Sequence, residues 1–371
     1  VQALDPAGVY ANADVIAALT GKYGPRVVSF RFDRLDSSNN YIEPITTMVA
    51  CSVANNALAN IKRTAKFTLR DTSAINYARD RIRPWVRLAM RDGGFVEWPQ
   101  GVFLLSTPKR VLDPNGITVN RSIDAYDQLQ VLTDDKVLTR YTIAASVAYT
   151  DALVTLLGGA YTVNITPSAS TVPTALDYDP GTSKLAIAND LLGAINYESV
   201  TFDENGVLVV KPYQSPTVRP SEYTYATDSS SVITDEIDDT LDLFAIPNVI
   251  VLTISEPDQS VLTSTVTNSN PLSPTSTMSR GRSIVDFRTA ASAPDQTTLD
   301  AQAARAMFDA SQVYETVEFT TALMPMHGNS DVLSLGIDGL GLADKFSETA
   351  WSYDMVVGGK MKHSVRRVVN V

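Results

Sequence analysis

Two histidines, His327 in MPMHG and His363 in MKHSV, and one cysteine, Cys51, are the full stock of nitrogen and sulfur metal ligands in 371 residues. A zinc enzyme draws on several such ligands, and a serine triad needs a histidine with two partners. The two histidines fall in different strand-like stretches, each alone, so packing or surface roles are expected of both. Cys51 by itself excludes an internal disulfide framework and a cysteine-built metal site. The acidic run Asp235, Glu236, Asp238, Asp239 and Asp242 has the right groups for carboxylate chemistry, but nothing places one of them in an apolar pocket that would raise its pKa. It reads as a solvated face.

Three short motifs weaken in the same way. FDENGV (202–207) has clustered acid and amide groups but not the alternating ligand spacing of a calcium loop, and Asn205-Gly206 suits a tight two-residue hairpin turn. DPGTSK (179–184) lacks the Gly-Lys-Ser/Thr order of a phosphate loop and reads as a turn that starts a helix. GIDGLG (336–341) stands between strands without dinucleotide spacing and reads as a turn. No catalytic, cofactor-binding or metal residue is therefore assigned, no cofactor is expected, and the chain is read as a non-enzyme.

The elements that carry these residues are mostly short strands. In VVSFRFDRL, Val28, Phe30 and Phe32 face one way and Ser29, Arg31 and Asp33 the other. The period-two pattern returns in AKFTLRD, PWVRLAMRDGGFVEW, GVFLLSTPKR and GITVNRSIDAY, which predicts a barrel or sandwich preceded by a helix at ADVIAALTGKY. DAYDQLQVLTDDKV follows, with Ala125, Leu129 and Leu132 at helical spacing after Asp124 as cap. From residue 141 the period changes: helices at TDALVTLLGG and SKLAIANDLLGAINY, the latter with Leu185, Ala188, Leu191, Leu192 and Ile195 inward, alternate with strands YTVNIT and ESVTFDENGVLVVKPY. Pro212, Pro216 and Pro220 mark the exit of this insert. Beyond the acidic run and the strand IPNVIVLTIS, residues 256–283 form a Ser/Thr/Asn/Pro-rich stretch too long for an ordinary connection, either functional or mobile. Residues 298–315 predict an amphipathic helix with Leu299, Ala303, Ala306, Met307, Ala310, Val313 and Tyr314 on one stripe, and alternating strands follow to the end.

Length and charge narrow the class. A chain of 371 residues exceeds one ordinary core, and the pattern divides it into 1–140, 141–234 and 235–371. The net charge of −11 is uneven: residues 1–140 hold 18 Lys/Arg against 14 acids, 141–279 hold 3 against 16, and 280–371 hold 9 against 11. Overall acidity argues against a sequence-reading nucleic-acid binder. The basic residues of 62–91 (Lys62, Arg63, Lys66, Arg70, Arg79, Arg81, Arg83, Arg87, Arg91) read as outward strand positions, with a surface for an acidic partner as the functional alternative. No run approaches the roughly 20 apolar residues of a membrane helix, so no membrane insertion is expected, and without a charged start followed by an apolar core no export is expected.

The order of parts resembles the tail hub family of tailed bacteriophages and related contractile injection machines. RSIDAYDQLQVLTDDKV is similar to that family's strand-to-helix exit from a first barrel, and VEFTTALMPMHGNSDVLSLGI with GGKMKHSVRRVVN is similar to the closing strands of its second. The resemblance implies an α+β, mainly β fold: two tail-tube-like antiparallel β-barrel domains (1–140, including the N-terminal extension, and 235–371) with a small α/β insert (141–234) between them. It implies a homotrimer whose six barrels ring the distal end of the virion tail, capping the tube, adapting six-fold to three-fold symmetry and letting the genome pass without sequence recognition. The implied partners are a distal tail or tail-tube protein, the tape-measure protein, and fibre or receptor-binding proteins, with the polar loop 256–283 among the contacts. Because the chain ends soon after the second barrel, no lysozyme, peptidase or fibre-like extension is expected. A tail-associated peptidoglycan hydrolase and a non-viral β-rich adhesin or carbohydrate-binding module are the alternatives.

Overall fold

The computed structural model describes residues 1–71, 75–106, 108–112, 115–241, 243–254, 261–289 and 296–370. The fold is α+β and mainly β, as the alternating segments predict, but among the described residues the strands form open sheets and no closed barrel. By internal contact the chain forms two compact units, residues 1–237 with 318–365, and residues 238–317 with 366–371.

In the first unit the main sheet passes, neighbour to neighbour, through Leu342–Asp354, Met48–Asn56, Arg63–Arg70, Val119–Tyr126, Phe103–Leu105, Arg81–Ala89, Val28–Leu35 and Tyr41–Pro44. Alternation works as expected along Arg81–Ala89, where Ile82, Val86 and Leu88 are buried between half-exposed arginines. On Val28–Leu35 it works less simply. Phe30 and Phe32 share a face as predicted, yet the supposedly outward Asp33 is buried along with Leu35, and Trp85 Nε1 donates to its carboxylate at 2.7 Å.

A second core lies at residues 129–210, where the helices Leu129–Asp134, Tyr149–Leu157 and Lys184–Ala194 seal Leu132, Leu153, Ile187, Leu191 and Leu208 together. Each long helix ends or begins as the residues dictate. Gly158 and Gly159 take positive φ after Tyr149–Leu157, and Ser183 caps Lys184–Ala194 by accepting the Ala186 N–H at 3.2 Å, so DPGTSK is a helix-starting turn. Two details correct the sequence reading. Ala125 lies in the Val119–Tyr126 strand, and the short helix begins at Leu129, where Asp127 rather than Asp124 accepts the Leu129 and Arg63 N–H groups at 2.9 and 3.1 Å. The 203–206 turn is also not a symmetric two-residue one. Gly206 alone has positive φ (84°), while the Asp203 carboxylate accepts from Asn205 and Val207 at 2.9 and 2.8 Å.

This hairpin is clamped to the large sheet by polar contacts. Arg63 pairs with Glu204 at 2.7 Å, and Gln128 donates to the Gly206 carbonyl at 3.2 Å while accepting from Arg81 at 2.6 Å. A Cβ on Gly206 would lie 2.6 Å from the Gln128 amide, so both the turn and the clamp require glycine.

In the second unit the helix Gln296–Ser311 packs Leu299, Ala303, Ala306, Met307 and Ala310 against Ile250, Leu252 and Ile254 of the Val249–Ile254 strand. The predicted stripe therefore meets the core, but the helix stops four residues early. Val313 and Tyr314 belong to the strand Gln312–Ala322, which pairs with the exposed Asp238–Leu241. The polar stretch 256–283 is not a bare loop. Its residues 256–260 fall outside the described part, while Leu262–Thr267 pairs antiparallel with Val249–Ile254 and Thr277–Arg280 forms a helical turn capped by Ser276. Its organiser is fully buried Asn248, whose amide donates to the Thr275 and Arg282 carbonyls at 3.1 and 3.0 Å and accepts the Ile284 N–H at 2.7 Å.

Candidate functional site: a buried histidine–carboxylate cluster and the exposed strands

The two histidines that stand alone in sequence meet in space. Lys360–Asn370 turns Met361, His363 and Val365 inward. Leu342–Asp354 turns Phe346 and Glu348 inward, and its buried parity then steps to Trp351 and Tyr353. Between them the turn after Met326 carries His327 and Asp331, pinned by the Gly328 N–H donating to the Asp331 carboxylate at 2.8 Å and by Trp351 Nε1 donating to the Gly328 carbonyl at 2.7 Å. Glu348 takes both rings: its Oε2 lies 2.8 Å from His327 Nδ1 and its Oε1 lies 2.6 Å from His363 Nδ1. Asp331 adds an oxygen 3.3 Å from His327 Nδ1.

Behind the rings, His327 Nε2 is hydrogen-bonded to the Tyr225 hydroxyl at 2.7 Å and His363 Nε2 to the Thr321 hydroxyl at 2.9 Å. His327, Glu348 and His363 are 1%, 1% and 3% exposed, so the cluster is sealed from any bulky substrate. Burial pushes the His327 imidazole down, but Glu348 and Asp331 outweigh it and raise the group to about 9. For His363 burial prevails and the ring is held below its ordinary value. Burial also opposes ionisation of Glu348, yet the adjoining imidazoles keep its carboxyl below the ordinary range.

Neither histidine announces this site, because its members come from separate segments and lone histidines carry no spacing. The legible signal was Glu348, an acid sharing strand parity with Phe346 in KFSET.

The basic segment divides. Lys66, Arg70, Arg79 and Arg91 are exposed as predicted, whereas Lys62 and Arg63 are buried, with Lys62 donating to the Ala57 carbonyl at 2.9 Å. Arg31 and Arg83 lie 4.6 and 5.0 Å from the Trp85 ring, and Arg87 stacks on Phe95 at 4.2 Å while pairing with Glu97 at 2.5 Å. Residues 235, 236 and 238–241 of the acidic run are solvent-exposed apart from the intervening Ile237, and Asp235 pairs with Lys360; Asp242 lies outside the described residues.

Two strands present open backbone and apolar side chains. Tyr41–Pro44, which ends the main sheet, is exposed throughout, with Tyr41 at 55% and Ile42 at 40%. Lys109–Leu112, paired to Val119–Tyr126, is likewise exposed along its length.

No protein-family model and no curated protein sequence matches the chain. Solved structures do. A tail protein from Neisseria meningitidis MC58 aligns over 91% of this chain and 97% of its own, with TM-score 0.59 and 11% identity. The prophage MuSo2 43 kDa tail protein from Shewanella oneidensis aligns over 90% and 98%, with TM-score 0.59 and 9% identity. The fold is that of phage tail proteins. The same tail-protein fold extends to a chain of the Francisella PdpA–VgrG complex, aligned over 92% of this chain and 58% of that one, with TM-score 0.56 and 8% identity.

Proposed function

We propose that the chain is a structural virion protein, the trimeric hub at the distal tip of a bacteriophage tail. It caps the tail tube, adapts six-fold to three-fold symmetry, anchors tip or fibre proteins and surrounds the channel for genome ejection. The observation that carries this reading is the end-to-end likeness to two tail proteins, over at least 90% of both partners in each comparison. In this reading residues 1–140 and 235–371 supply the two tube-like modules and 141–234 the insert, and rings close between copies because the sheets stay open within one. Exposed Tyr41–Pro44 supports that role, since an edge strand offers open backbone, Tyr41 and Ile42 to a neighbouring copy. The distal tail or tube protein, the tape-measure protein and fibre or receptor-binding proteins are the proposed neighbours, and DNA passes without being read.

A hydrolase is disfavoured by burial: the histidine–carboxylate cluster is at most 3% exposed at His327, Glu348 and His363. Mass photometry of the purified 40.1 kDa chain tests the reading. A species of three chains supports it, and a monomer at every concentration contradicts it.

A further inference from the structure

The cluster at His327, Asp331, Glu348 and His363 has the features of a metal site, and they arise from independent parts of the chain. Both imidazoles turn the same nitrogen, Nδ1, toward Glu348, and the three ligand atoms lie within 4.8 Å of one another. Two nitrogens and a carboxylate oxygen make a three-ligand set suited to zinc, and Asp331, 3.3 Å from His327 Nδ1, stands beside it. A divalent cation would balance the buried Glu348 carboxylate in place of the His327 proton, while Asp331 also faces the N-terminal ammonium at 3.0 Å. Each Nε2 is already held by a hydroxyl, Tyr225 at 2.7 Å and Thr321 at 2.9 Å. Metal-bound histidines characteristically donate their other N–H in this way. An entry path exists too. Gly328, Asn329 and Asp331 line a polar cleft of about 230 Å³ shared with Glu204, Arg219 and Glu222, so Asp331 joins the sealed cluster to the surface.

We propose that this cluster binds one zinc ion, as a structural clasp joining the His327 turn to the two strands that carry Glu348 and His363. On binding, His327 releases its Nδ1 proton to solvent and keeps its Nε2 hydrogen on the Tyr225 hydroxyl, while neutral His363 transfers its single hydrogen from Nδ1 to Nε2, where the Thr321 hydroxyl accepts it; each freed Nδ1 lone pair then goes to the ion. Ligand bonds of about 2.0–2.2 Å in a tetrahedron separate donor atoms by about 3.3–3.6 Å. The 2.8 and 2.6 Å Nδ1–carboxylate contacts therefore open by about 0.5–1 Å, a side-chain adjustment. The site is independent of the hub reading, because the clasp would serve any fold built on these strands.

The test is elemental analysis of the full chain expressed with zinc and purified without chelator, followed by X-ray absorption at the zinc edge. About one zinc per chain is expected, with a shell of nitrogen and oxygen at about 2.0–2.1 Å. Stripping the metal with dipicolinate should lower Tm by several degrees and restoring zinc should recover it. H363Q should lose the metal while keeping its far-ultraviolet circular dichroism; if H363Q does not fold, the absorption spectrum and chelator cycle of the natural chain decide. Less than about a tenth of a zinc per chain after dialysis against micromolar zinc overturns the proposal. So does a sulfur-containing shell, or zinc that a folded H363Q retains in full.

Discussion

The first unit centres on a buried cluster of ionisable groups, and the second turns on a buried amide. In the first, Glu348 and Asp331 sit with His327 and His363 behind a wall of strands, and each ring nitrogen has a partner within 2.9 Å. In the second, Asn248 does the organising with an amide, spending both N–H groups and its oxygen on three backbone partners at 2.7–3.1 Å. Both arrangements hold chain segments far apart in sequence. They differ in what removal leaves behind: a lost carboxylate leaves buried imidazole N–H groups unpaired and strips the counter-charge from His327, whereas a lost amide leaves only neutral backbone groups unpaired.

That contrast sets the size of the expected effects. Glu348→Ala should be the most damaging change, about 3–5 kcal/mol in denaturant unfolding, since it breaks a buried charged network by removing one partner. A loss below about 1 kcal/mol would show that the cluster is solvated after all. Asp127 offers an ionisable group in the first unit that asparagine neutralises while keeping one of its two acceptor oxygens. Burial raises its carboxyl to about 6, against the pull of the Leu129 and Arg63 N–H groups and the Arg63 and Lys62 charges. The folded state therefore holds this proton more tightly than the unfolded chain. The stabilising contribution is complete below about pH 4 and disappears as the pH rises through 6, by about 3 kcal/mol. Asp127→Asn should abolish that decline, and parallel stability profiles from pH 4 to 7 for the two proteins would contradict it.

Asn248→Ala should cost about 2–3 kcal/mol, with hydrogen-exchange protection lost first in residues 268–284 and no change in protection around His327. Loss spread evenly over both units would blur the comparison. The smallest effect belongs to the insert: Ser183→Ala removes one cap bond and should cost about 1 kcal/mol, read as a shift in denaturation midpoint.

Periodicity made much of this fold legible. The Leu299–Ala310 stripe, the strands around Arg81–Ala89 and the glycine-ended helix Tyr149–Leu157 follow from residue spacing alone, because burial on one face is a local property. What sequence could not supply were contacts between distant segments. Asn248 orders a stretch that composition presents as a loop, Asp33 is inward where Trp85 on the neighbouring strand donates to it, and Asp127 displaces Asp124 as the capping acid because it also reaches Arg63. The candidate site was the least legible part. His327, Glu348 and His363 lie on a turn and two strands, and only strand order brings them together. Closure was overread for a related reason: short alternating strands suit a barrel, but whether the last meets the first depends on a pairing no local pattern encodes, and here Tyr41–Pro44 remains an edge.

The central claim is that open sheets in one chain close into a ring between copies. Electron-microscopy class averages of the assembled protein test it most directly. Three-fold particles with six similar lobes around a central hole are the predicted result; compact particles without a hole, or assemblies lacking three-fold symmetry, would contradict it.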